Sequence, residues 1–112
     1  DNLDAREMMA MLLQLRGCQV AAAGSGLEGI ALAQLEQPEL AFIDIGLPGM
    51  DGYAVARALR DHPATAAIIL IALTGYGSEA DRSSALAAGF SQHFTKPIKL
   101  DDLDAALAMP RR

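Results

Sequence analysis

Asp44, Thr74 and Lys96 each stand at, or just past, the end of a short run that reads as a strand: Leu40-Ala41-Phe42-Ile43, Ile68 to Leu73, and Gln92 to Thr95. In open α/β sheets ligands bind in the crevice outside the C-terminal strand ends. If the three strands are parallel neighbours, a carboxylate, a hydroxyl and an ammonium meet in one small volume. Asp1 joins them if it closes a strand lying upstream. Two carboxylates near a cation suit a hard divalent ion such as Mg²⁺, bound through few protein ligands. With the ion offsetting their mutual repulsion, Asp44 stays ionised and can attack phosphorus to give an acyl phosphate. Lys96 would neutralise one phosphoryl oxygen and the Thr74 hydroxyl would donate to another. Gly75, lacking a side chain, leaves room for the incoming group.

The elements that must hold these groups alternate between apolar runs and amphipathic stretches, the pattern of a parallel sheet covered by helices. Residues 4–16 predict a helix, with Asp4 and Glu7 spaced as a capping box and Gly17 as its end. Cys18 to Ala23 predicts a short strand, followed by a Gly24-Ser25-Gly26 turn and a helix opened by Ser25 and Glu28 and stopped by Pro38. Asp51 is placed to cap a helix over about 52–61, Ser78 and Asp81 open one that ends near Gly89, and a last helix starts near Asp101. The resulting order is α-β-α-β-α-β-α-β-α. A doubly wound sheet normally begins with a strand, so this chain opens where a first strand would end.

With 112 residues the chain has room for one domain, residues 1–112, built on one core. Hydrophobic residues at 52% and charged residues at 21% fit a globular protein rather than a disordered one. A net charge of −5, without a basic stripe, argues against direct nucleic-acid binding. No apolar run reaches the roughly 20 residues of a membrane span. Cys18 has no second cysteine to pair with, which points to a reducing, cytoplasmic setting.

Three blocks carry a family resemblance: Ile43-Asp44-Ile45-Gly46-Leu47-Pro48-Gly49-Met50-Asp51-Gly52, Ala72-Leu73-Thr74-Gly75, and Thr95-Lys96-Pro97. In this order they resemble the signature blocks of response-regulator receiver domains, and Asp1-Asn2 resembles the second half of that family's acidic pair with its following residue. The resemblance implies a flavodoxin-like (βα)5 fold of sheet order 2-1-3-4-5, with the first strand absent from this sequence. It implies transfer of a phosphoryl group from a phosphohistidine, on a histidine kinase or a histidine phosphotransfer protein, to Asp44. Mg²⁺ would be held by Asp1, Asp44 and the Gly46 carbonyl. The domain would be a signalling phosphoacceptor that catalyses its own phosphorylation and dephosphorylation, not an enzyme in the ordinary sense. Thr74 would move on activation, coupled to the residue three before the lysine, which is His93. A readout face around Ala85, His93 and Leu103 would serve an output domain or partner protein.

Two departures carry expectations of their own. The first strand would be central in that order, so the complete protein is expected to supply an apolar strand and another acid directly upstream of Asp1. His93 stands where the family usually has Tyr or Phe, and an imidazole can gain a proton near neutral pH. The bland alternative is a tolerated ring at a strand end. Met8, Met9 and Met11 read as core and core margin, with a partner surface as the alternative for some of them, Cys18 as a small buried strand residue, and His62 as a surface cation or cap.

Two rival readings remain in play. Gly24-x-Gly26-x-x-Gly29 matches a dinucleotide fingerprint, with Asp44 about 20 residues on as the ribose-binding acid. It leaves the Gly46–Gly52 loop, Thr74 and Lys96 unexplained. A receiver-like interaction module without phosphotransfer is the third class. An aspartate-nucleophile phosphatase needs a second Asp two positions after the first, where this chain has Gly46, so that reading fails.

Overall fold

The computed structural model describes residues 3–45, 52–74, 79–96 and 98–109. Asp1, Gly46, Asp51, Gly75 and Ser78, all singled out above, lie outside them. The elements in order are α1 (Leu3–Leu15), α2 (Gly26–Glu36), β1 (Leu40–Asp44), α3 (Gly52–Asp61), β2 (Ile69–Thr74), α4 (Glu79–Ala88), β3 (Gln92–Thr95) and α5 (Leu100–Leu107).

The described strands form one three-stranded parallel sheet in the order β1-β2-β3. β2 is central and nearly continuous in aliphatic residues because both of its faces are covered. Successive side chains point to opposite faces, so Leu70 and Ala72 join Ile43, Val55, Ala56, Leu59, Ala85 and Ala88 in one cluster with α3 and α4. Ile69 and Ile71 face the other way and meet Ala106 of α5, with Phe42 and Phe94 at the margin. On that second side Arg16 Nε donates to Asp104 Oδ1 at 2.6 Å, tying the end of α1 to α5. This hydrogen bond raises the Arg16 pKa above its already high ordinary value.

Cys18 to Ala23, expected as a strand, runs without a ladder. The reason is physical: a strand exists only through its neighbour. In the order 2-1-3-4-5 this segment would pair with the first strand alone, and no such partner stands beside it among the described residues. Cys18 is accordingly half-buried. The α1 methionines also differ from expectation, since Met8 and Met11 are exposed while Met9 is half-buried.

Helix ends follow local chemistry. Ser25 caps α2, its Oγ accepting from the Glu28 N–H at 3.2 Å. Asp4 lies inside α1 rather than before it, and α5 starts from Lys99, whose N–H donates to Asp102 Oδ2 at 3.3 Å. His62 is exposed and its Nδ1 accepts from the Ala64 N–H, which makes it a turn cap.

The end of α4 is fixed from outside by Arg60. Its Nε and Nη2 donate to the Gly89 carbonyl at 3.0 and 2.7 Å, and its Nη1 donates to the carbonyls of Ala66 and Ile68 at 2.7 and 2.6 Å. Gly89 has φ +110, and a Cβ there would lie 2.8 Å from Arg60 Cγ. Glycine is therefore demanded twice, by its backbone and by the arginine stem. One guanidinium thus joins α3, the approach to β2 and the close of α4. Arg60→Ala should lower stability by about 1–2 kcal/mol in chemical denaturation, because the partly exposed carbonyls can turn to water. The folded-state circular dichroism should be unchanged.

Candidate functional site

The rim of the sheet is set by strand register. Asp44 is the Cα partner of Leu73, and Thr74 that of Thr95. The ladder continues past the strands, with the Ile45 N–H donating to the Leu73 carbonyl at 3.0 Å and the Lys96 N–H to the Thr74 carbonyl at 2.6 Å. Asp44, Thr74 and Lys96 therefore end adjacent strands side by side. The sequence placed them on the same rim, and that is where they stand.

Lys96 Nζ donates to both carboxylate oxygens of Asp44, at 3.1 and 2.9 Å. The side chains are 20% exposed for Asp44 and 37% for Lys96, so the pair is open to solvent from one side. This is an anionic nucleophile with a cation already beside it, on the accessible edge of an otherwise apolar sheet. Thr74 is buried at 4% exposure. It shares the sheet face of Leu70 and Ala72, and the pairing Ala72↔His93 puts His93 on that face as well. The two residues expected to move together are thus diagonal neighbours on adjacent strands.

Gly52 positions this rim in a way its sequence context did not reveal. Its N–H donates to the Ile45 carbonyl at 3.1 Å. A Cβ on Gly52 would lie 2.8 Å from Ile45 Cα and 3.0 Å from the Asp44 carbonyl oxygen. The start of α3 rests directly on the backbone that carries Asp44, which only glycine allows. The signal was present as a glycine at the head of a helix, where it reads as one more loop residue.

Of the expected metal donors, Asp44 is described and Asp1 and Gly46 are not. Among the described residues no three His, Cys, Asp or Glu side chains gather as a metal site. The donor set of two carboxylates and a carbonyl is all oxygen, and Asp44 stands at a partly open rim; both suit Mg²⁺, which keeps most of its waters. Two members of the expected readout face need correcting: Ala85 and Leu103 are 1% and 0% exposed, so they are core, not contact surface. Both faced inward because their helices spend those positions on the sheet. Among the described residues Leu86 and Leu100 are the exposed large hydrophobic side chains of α4 and α5.

The dinucleotide reading finds little support in the turn before α2. No strand precedes it, and Ser25 Oγ and the Glu28 carboxylate occupy the N–H groups of Glu28 and Gly24. Arg6 also lies 3.2 Å from where a Gly24 Cβ would be. Backbone donors that a pyrophosphate needs are engaged within the loop.

The geometry is that of a parallel α/β sheet with an acid, a hydroxyl and a lysine on one rim, and comparison with known proteins gives the class. Residues 1–108 match the model of the response regulator receiver domain. The chain belongs to that family and has its CheY-like fold. It is 35% identical over 98 residues to a 14.6 kDa protein of Leptolyngbya boryana, covering 88% of this chain and 75% of that one. It is 36% identical over 105 residues to the transcriptional activator protein PfeR of Pseudomonas aeruginosa, covering 94% of this chain but 33% of PfeR. Among solved structures, the receiver domain of the sensor histidine kinase PA1611 from Pseudomonas aeruginosa superposes with a TM-score of 0.86 at 27% identity, covering 96% of this chain and 88% of that one. That structure has a magnesium ion coordinated in its active-site cleft. This is a receiver domain of two-component signalling, a class that works with sensor histidine kinases as phosphoacceptor rather than as a classical enzyme. Among the described residues no helix is long and apolar enough to cross a membrane.

Proposed function

We propose that residues 1–112 act as one phosphoacceptor domain that takes a phosphoryl group onto Asp44 from a phosphohistidine of a sensor kinase or phosphotransfer protein. The observation that carries this reading is the Asp44–Lys96 clasp at the rim, at 2.9 Å. An Asp44 oxygen attacks phosphorus, the O–P bond forms as the P–N bond breaks, and the electron pair returns to the donor imidazole, which takes up a proton. Lys96 exchanges its hold on the carboxylate for a phosphoryl oxygen, so its charge is in place throughout. Thr74 donates its hydroxyl to a second oxygen. Asp1, Asp44 and the Gly46 carbonyl would hold Mg²⁺, which supplies Lewis-acid stabilisation of the transferring group. The same rim would serve the return step, with water as the nucleophile. A cytoplasmic location follows from a kinase partner of this kind.

The test is labelling of the full chain by acetyl phosphate. With Mg²⁺ the protein should gain the mass of one phosphoryl group, and chelation by EDTA should remove the gain. Labelling that ignores EDTA, or NAD binding that ignores Mg²⁺, would defeat the reading. Lys96→Ala should keep the fold, since a solvent-exposed ion pair contributes no more than about 1 kcal/mol, yet slow labelling by about a hundredfold. Unfolding of that variant would mark Lys96 as structural instead.

A further inference from the structure

We propose that the outer face of α2, towards its C-terminal end, docks an amphipathic helix of another protein, one whose apolar stripe is flanked by Lys or Arg. The inference goes beyond the phosphoacceptor reading and does not rest on it. Ile30 and Ala33 seat α2 against the core that it shares with α3 and α4. At about 100° per residue, Leu27, Ala31 and Leu35 then fall together within about 80° on another side of the helix. Leu27 is 68% exposed and Leu35 77%, and Ala31 between them is exposed as well. Side chains four apart form one ridge, the kind that seats in the groove of a second helix, and the small residue at its middle lets the two axes come close.

Charge selects the partner. Residues 17–56 contain five acidic side chains and no Lys or Arg, whereas the rest of the chain holds nine of each sign. The whole net charge of −5 therefore belongs to this stretch. Three of its acids, Glu28, Glu36 and Glu39, are exposed on α2 or just past its end. A helix C-terminus is a pole of partial negative charge and ordinarily takes a cation. α2 has no basic residue in its last turn and carries Glu36 there instead. Departures from local rules gather at functional sites. Arg6 lies against the turn at Gly24, at the opposite end of the helix, so the C-terminal half is the uncompensated one. A cationic flank meets these carboxylates and the helix pole together, while Leu27 and Leu35 receive the apolar stripe. An anionic membrane or a nucleic acid would be repelled by the same charges.

The test is NMR titration of the isotope-labelled full chain, without phosphodonor, by a synthetic peptide long enough to hold a helix, about 18 residues. The peptide carries Leu at every third or fourth position on one side and Lys on both flanks. Shifts should gather on residues 27–39, and added salt should weaken the binding. Leu35→Gln should weaken it by about tenfold, and Glu36→Lys by about threefold, with circular dichroism unchanged because both side chains are exposed. Leu86→Gln and Asp101→Lys make the same changes on other helices and should bind as the unaltered chain does. No binding, shifts gathered away from α2, or equal binding by Leu35→Gln would overturn the proposal. Self-association in sedimentation that Leu35→Gln abolishes would give the face to a second copy and overturn it too. The titration needs no label on Asp44, so a failure of labelling would defeat the phosphoacceptor reading and leave this one standing.

Discussion

Asp44→Asn should bring labelling by acetyl phosphate in the presence of Mg²⁺ down to background while leaving the fold intact. The substitution keeps the size of the side chain and replaces an anionic oxygen by an amide nitrogen. An amide is a poor nucleophile toward phosphorus and makes no stable acyl phosphate, so the loss should be complete rather than partial. The structural effect should be small, because Asp44 lies at the very end of its strand and is partly exposed, and its ion pair with Lys96 faces solvent on one side. Melting temperature and label should therefore part company, the first nearly constant and the second lost. Persistent label on the variant, located by mass spectrometry, would move the acceptor elsewhere.

Gly52→Val should cost about 3 kcal/mol, at the upper end for forcing extra atoms into a packed site, and lower Tm by roughly 10–15 °C. The new Cβ would meet backbone, Ile45 Cα at 2.8 Å and the Asp44 carbonyl oxygen at 3.0 Å, and backbone in a ladder cannot step aside as a side chain can. Either α3 lifts off the sheet and draws its own Val55, Ala56 and Leu59 out of the core, or the end of β1 moves and carries Asp44 with it. Both routes harm the rim. Gly52→Val should lose stability and label together, in contrast to Asp44→Asn. Thermal denaturation followed by circular dichroism reads the first effect and mass spectrometry the second.

Much of this fold is legible in the sequence because its strands are buried and its helices are punctuated. Ile69–Thr74 is recognisable as central from its unbroken aliphatic run, and Gly17 and Gly89 mark helix ends that the structure closes with positive φ. The site was legible for the same reason, since Asp44, Thr74 and Lys96 are polar residues at the ends of apolar runs. What escaped was whatever depends on a distant neighbour. Cys18 to Ala23 has strand composition but no strand beside it. Arg60 looks like any exposed basic residue in the last turn of α3, and its three carbonyl partners come from two other parts of the chain. The resemblance puts Ala85 and Leu103 on a surface, and only the packing of α4 and α5 shows them turned inward.

The clasp between Asp44 and Lys96 joins positions 52 apart in sequence, across three strands that each belong to a different strand–helix unit. On the phosphoacceptor reading, molecules in which any one unit is undocked lack the assembled rim and should take up label far more slowly than native ones. End-point stoichiometry at short reaction times accordingly counts native molecules, whereas the rate among them reports on the chemistry. A weakened variant and a chemically crippled one can be told apart in a single time course, by plateau and by slope.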